Sequence, residues 1–169
     1  MCTNEYLASA DLLSLAKEKL AMDDFSGLND IDIEICALLQ SKQKSQSFEA
    51  LTDEQQICVA TFNVESYVNS GGFMDLFQYF SDEELHATNR GYEAFRATSL
   101  LKLIEKAIKK FPKSPPLPSQ SKREEILDSW FDKDKDPFEK LDSKFQDIGS
   151  ALKGRIEYII NHPDQFFIN

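Results

Sequence analysis

At 169 residues, 41% hydrophobic and 28% charged with 13 phenylalanines, the chain carries enough apolar side chain for one core, which excludes a disordered polypeptide. A formal net charge of −10 and a pI near 4.7 oppose attraction to phosphate backbones and anionic lipid, so direct nucleic-acid binding and membrane association are not expected, and a natural partner is expected to be basic. Cys2, Cys36 and Cys58 form no CxxC pair, and the expectation is buried thiols in a reducing cytoplasm.

From Tyr6 to Leu20, Leu7, Ala10, Leu13 and Leu20 recur at helical intervals behind Asn4 as a candidate cap; Glu5, Asp11 and Glu18 interrupt the apolar run and argue against a signal peptide or a membrane span. Ile31, Ile33 and Ile35 alternate as in a strand, but Ile31, Ile35, Leu38 and Leu39 also form one helical stripe, and with Asp30 as a cap the spacing predicts a helix. Ser41 to Ser47 reads as a polar connection. Thr52 and Gln55 form a capping box, opening a helix whose inner face is Ile57, Ala60, Val64, Tyr67 and Val68 and whose end is set by Gly71 and Gly72. A short aromatic helix follows, with Phe73, Leu76, Phe77 and Phe80.

Ser81 and Glu84 repeat the capping box, and from Tyr92 to Phe111 the residues Phe95, Leu100, Leu103, Ile104, Ala107 and Ile108 sustain one long stripe, stopped by Pro112. Residues 112–120 hold four of the six prolines and read as an extended connector crossing one domain, because the roughly 50 residues beyond it are too few for a core of their own. Ser121 and Glu124 again resemble a capping box, ahead of Ile126, Leu127, Trp130 and Phe131. A last helix is predicted from Asp136, with Pro137 in its first turn, through Leu141, Phe145, Ile148, Leu152, Ile156, Ile159 and Ile160 to His162; Gly149 and Gly154 mark a bend or a close helix approach. The fold expected is all-α, one compact multi-helix domain over 1–169 with about seven or eight helices.

No catalytic motif emerges. His86 and His162 are far apart and fit no metal-ligand spacing, and the chain has neither a nucleophile elbow nor a phosphate loop. Asp132, Asp134 and Asp136 imitate the opening of a calcium loop, but Pro137 and Ser143 stand where that loop needs glycine and a bidentate glutamate. The chain is therefore expected to be no enzyme, with no cofactor and no metal.

Charge is segregated instead. Between Met22 and Glu93 fourteen acids stand against Lys42, Lys44 and Arg90, whereas Arg96, Lys102, Lys106, Lys109, Lys110 and Lys113 then face Glu105 alone. Acids near helix starts also serve the helix dipole, a purely structural reason for some of them. The functional reading is a ridge: duplex DNA carries one charge per roughly 1.7 Å of axis, and carboxylates a turn apart have Cβ atoms about 5–6 Å apart, so neighbouring helices can set negative charges at phosphate-like intervals.

Several ordered segments resemble the DNA-mimic protein family, small acidic helical proteins formerly grouped as a domain of unknown function. The motif Val68 to Phe73, with Asn69, Gly71, Gly72 and Phe73, is similar to its Asn-Gly-Gly-Phe segment, although Ser70 interrupts the order and Asp75 stands where the family usually has glutamine. Tyr92 to Pro112 resembles its central helix, Arg123 the arginine after its proline-rich connector, and Phe138 to Phe167 its final helix and tail; the resemblance covers about residues 51–167 and omits 1–50. It implies a protein that occupies the DNA-binding surface of a basic transcription regulator. On that reading the partner-binding acids are Asp53, Glu54, Glu65, Asp75, Asp82, Glu83, Glu84 and Glu93, and self-association into a homodimer stays open. The alternative is an immunity or other interaction module docking through an apolar aromatic surface at Phe73, Phe77, Tyr79 and Phe80.

Overall fold

The first four helices in this chain are opened by short polar side chains, as the computed structural model shows; it describes residues 7–133 and 135–167. The Ser9 hydroxyl accepts from the Leu12 N–H at 3.3 Å and opens α1 (Ala10–Ala21). Residues 7–9 thus stand outside the helix predicted to include them, with Ala8 in a lone parallel bridge to Phe167; the predicted start at Tyr6 and the cap at Asn4 lie outside the described residues. Asp24 accepts from Gly27 N–H at 3.0 Å to open α2 (Phe25–Ser45), six residues ahead of Asp30. Burial of Ile31, Ile35 and Leu39 with Ile33 exposed settles the strand-or-helix ambiguity for helix. The polar residues Ser41 to Ser45 belong to α2 rather than to a connection, which starts at Gln46.

A single 3₁₀ turn, Phe48–Ala50, leads to the Thr52–Gln55 capping box and α3 (Asp53–Tyr79). Gly72 kinks α3 with φ 73° and ψ −172°, a backbone that L side chains rarely adopt. The stop read at the glycine pair is therefore real, and the Phe73 N–H released there is capped from a distant helix, by Asp142 Oδ1 at 2.9 Å. The Ser81–Glu84 box opens α4 (Asp82–Ala94).

The single long stripe from Tyr92 to Phe111 is broken. α4 ends where Arg96 takes φ 57°, with Ala97 N–H donating to Tyr92 O and Arg96 N–H to Glu93 O, the paired bonds of a Schellman turn; α5 (Thr98–Ile108) follows. Asp23 ends α1 in the same way, at φ 56°. In both turns a non-glycine residue fills the left-handed position, so no glycine in the sequence marks them. α6 (Gln120–Phe131) starts behind Ser119 with no side-chain cap, placing Ser121 and Glu124 within the helix, where they form no capping box. Asp136 accepts from Phe138 N–H at 2.7 Å in a turn, and α7 (Glu139–Ile148) begins only after it. Gly149, at φ 83°, then separates α7 from α8 (Leu152–Asn161), so the predicted final helix is two, followed by the short α9 (Pro163–Phe166). Gly154 allows α8 to pass the end of α4, since a Cβ there would lie 2.5 Å from the Phe95 carbonyl oxygen.

Among the described residues the chain is 77% helical with no strand, in nine helices that form one compact all-α domain. Its core crosses the proline-rich connector. Phe77 meets Phe111 edge-on at 5.0 Å, Phe111 meets Trp130 at 5.3 Å, Trp130 meets Phe138 at 5.8 Å, and Phe145 meets Phe73 at 5.8 Å, so α3, α6 and α7 share one aromatic cluster. Offset and edge-on aromatic pairs of this kind add about 0.5–1.5 kcal/mol each beyond their buried area. No helix among the described residues is long and apolar enough to cross a membrane.

Candidate protein-binding surface

α3 and α4 form a hairpin joined at Phe80 and Ser81, and of the eight candidate acids it carries six along its solvent edge. At one end the start of α3 meets the end of α4. Asp53, Glu54 and Glu93 lie in these two turns, and Arg90 reaches across with Nη1 3.5 Å from Asp53 Oδ1 and Nη2 donating to Gln56 Oε1 at 3.3 Å. At the other end Asp82, Glu83 and Glu84 make up the first turn of α4, where the free N–H groups and the helix dipole favour negative charge. Glu84 Oε2 accepts from Ser81 N–H at 2.9 Å and its Oε1 from Gln43 Nε2 at 2.9 Å. Glu83, His86, Arg90 and Glu93 fall on one exposed arc of α4, and Glu83 is separated from Glu93 by about 15 Å of helix. Asp75 sits apart, beyond the kink, its carboxylate folded back over Gly71.

Glu65 is not a surface acid. Only 6% exposed, it forms with Asp32 a carboxylate pair around the fully buried guanidinium of Arg155. Arg155 Nε donates to both Asp32 oxygens at 3.0 and 3.1 Å, Nη1 to Thr61 Oγ1 at 3.2 Å and Glu65 Oε1 at 3.1 Å, and Nη2 to Asp32 Oδ2 at 2.7 Å and Glu65 Oε2 at 3.0 Å. Glu65 Oε1 also caps Ala151 N–H at 2.9 Å. Burial alone would lower the Arg155 pKa; the two carboxylates outweigh it and raise it well above the ordinary value. The sequence signal for this knot was present: Asp32, Glu65 and Arg155 each interrupt an apolar stripe of their own helix.

Arg123, the arginine singled out after the connector, is likewise wholly buried and structural. It donates to the Phe77 carbonyl at 3.2 Å, to that of Phe80, to that of Pro118 at 3.0 Å, and to Asp82. Asp82 is therefore paired with a cation, as is Asp53 by Arg90; of the six acids on the solvent edge, Glu54, Glu83, Glu84 and Glu93 form no ion pair with a described residue, and Glu84 is held by Ser81 N–H and Gln43 instead.

The aromatic alternative also changes shape. Phe73, Phe77 and Phe80 are core, so they cannot line a docking surface; Tyr79, 57% exposed, reaches the exterior beside Tyr67, with ring centroids 6.0 Å apart. The two tyrosines wall a cleft of about 440 Å³ between α2, α3 and the start of α4. Of the motif residues, Asn69 and Gly71 are exposed, Gly72 makes the kink and Phe73 is core. Cys36 and Cys58 are buried, which pushes both thiols well above the ordinary range, while Cys2 and Asp134 lie outside the described residues. Among the described residues no group of three or more His, Cys, Asp or Glu is placed to hold a metal ion.

Fold and surface together define a small all-helical domain with six carboxylates along the solvent edge of one helical hairpin. The chain belongs to the DMP19-like protein family, whose model matches residues 49–162 and so spans α3 to α8 but not α1 and α2. No curated protein and no solved structure matches it.

Proposed function

We propose that the chain is a non-catalytic protein-binding module that offers the α3–α4 hairpin to a basic DNA-binding protein, such as a transcription regulator, in place of DNA. One observation carries this reading: α3 and α4 contain eight carboxylates and one cation, Arg90; among the eight only Glu65 is buried, and Asp53 and Asp82 alone of the rest are ion-paired with described residues. Fixed charges on two packed helices need no ordering when the partner arrives, so they attract a basic surface much as a phosphate backbone does. Membership of a family resembling DNA mimics supports the same reading.

The test uses the chain immobilised as bait in an extract of its source cell, followed by elution with rising salt or with duplex DNA. A retained basic DNA-binding protein, released by either, is the expected result. The triple variant Glu54→Gln, Glu83→Gln, Glu93→Gln leaves the Asp53–Arg90 and Asp82–Arg123 pairs intact, and it should capture less and respond less to salt, because fewer charges are screened. Equal capture by the triple variant at low salt would remove the reading.

A further inference from the structure

The cleft beside the acidic start of α4 sets the Glu84 carboxylate among side-chain amides and two tyrosine rings, with Lys44 also in its lining. Gln43 spends an amide N–H on Glu84 Oε1 at 2.9 Å, and Gln40 spends one on Asn63 Oδ1 at 2.6 Å, which leaves the carbonyl oxygens of Gln40 and Gln43 and the remaining lone pairs of the Glu84 carboxylate as acceptors. Above them stand the rings of Tyr67 and Tyr79, 37% and 57% exposed. Phe80 also lines the cleft, edge-on to Tyr67 at 5.3 Å, and Tyr67 lies 6.0 Å from Tyr79, so the rings support one another without a ligand.

A carboxylate, two free amide carbonyls and exposed aromatic faces lining one cleft fit a flat, donor-rich cation. We infer that this cleft receives an arginine side chain of the basic partner, its guanidinium lying over Tyr79 and donating to Glu84 and the glutamine carbonyls. Guanidinium suits it better than ammonium, because a planar fork of five N–H groups bonds two acceptors at once and stacks on a ring, whereas an ammonium is a compact and strongly hydrated point charge. The volume, about 440 Å³, accommodates the whole side chain. Lys44, on the exposed last turn of α2, also lines the cleft and is the opposing cation, so it weakens the site. The inference rests on the proposed basic partner and adds to it a specific anchor beside a nonspecific field.

Titration of the full chain with N-acetyl-arginine amide, followed by NMR shifts of the Gln43, Asn63 and Tyr79 resonances, tests it directly. The expected dissociation constant is on the order of 1 mM, as for any ligand of this size. The citrulline counterpart, equal in shape but uncharged, should bind at least about tenfold more weakly. Glu84→Gln keeps the capping box, in which glutamine also serves, and should weaken arginine binding about tenfold; Tyr79→Leu should weaken it about threefold, while Tyr79→Phe retains it. Lys44→Met should tighten it. Equal binding of citrulline, or arginine binding indifferent to Glu84→Gln and Tyr79→Leu, overturns the assignment. Either result leaves the capture test of Glu54, Glu83 and Glu93 untouched, so the anchor and the basic-partner reading fail separately.

Discussion

Two buried arginines hold the domain together, and they are satisfied in opposite ways. Arg155 on α8 is enclosed by carboxylates, Asp32 from α2 and Glu65 from α3, and so bonds α2, outside the family match, to two helices within it. Arg123 on α6 is met chiefly by backbone: the carbonyls of Phe77 and Phe80 at the end of α3 and of Pro118 in the connector, with Asp82 at the surface. Helix ends and proline-rich segments leave carbonyls without partners, and a guanidinium serves several at once. The first arginine thus neutralises buried charge, and the second completes buried backbone. Both draw on acids that the sequence alone would place on the partner-binding surface.

The largest effect should come from breaking the first knot. Arg155→Met leaves two carboxylates buried side by side, and denaturant unfolding should show a loss of about 3–5 kcal/mol. Replacing all three, with Asp32→Leu and Glu65→Met added, should recover most of that, because an apolar cluster of similar volume avoids desolvating charge. Arg123→Met should lose less, about 2–3 kcal/mol, since it strands neutral carbonyls; Asp82→Asn, which removes only a half-exposed partner, should stay within about 1 kcal/mol.

Gly149 turns the chain so that Ala151 N–H meets Glu65, and nothing crowds the space where its Cβ would lie. Gly149→Ala therefore isolates backbone strain, and thermal or denaturant unfolding should show a loss of about 1 kcal/mol. The smallest effect concerns Asp142, whose carboxylate caps Phe73 across the kink. Partial burial raises its pKa; the Phe73 N–H opposes the shift and Asp136 adds to it. A carboxyl with a folded pKa above its unfolded value binds more protons when folded, so its ionisation weakens the fold as pH rises through the folded value. Asp142→Asn, still able to accept from Phe73, should be slightly stabilising at neutral pH, an advantage that shrinks as pH falls toward 3.8. A variant equally affected at both pH values would contradict that account.

The helical class, the Thr52–Gln55 and Ser81–Glu84 starts, the stop at Gly72 and the acidic character of the hairpin were legible in the sequence, because each is settled within about one turn of chain or by composition. Gly149 was legible as a bend, though not as the end of a helix. The breaks at Asp23 and Arg96 were hidden, since residues other than glycine fill those left-handed positions. Which acid pairs with which cation was decided by tertiary structure alone. Whether a carboxylate faces solvent or a buried guanidinium depends on a residue far along the chain, as Glu65 depends on Arg155 and Asp82 on Arg123, and no local pattern specifies such a pairing.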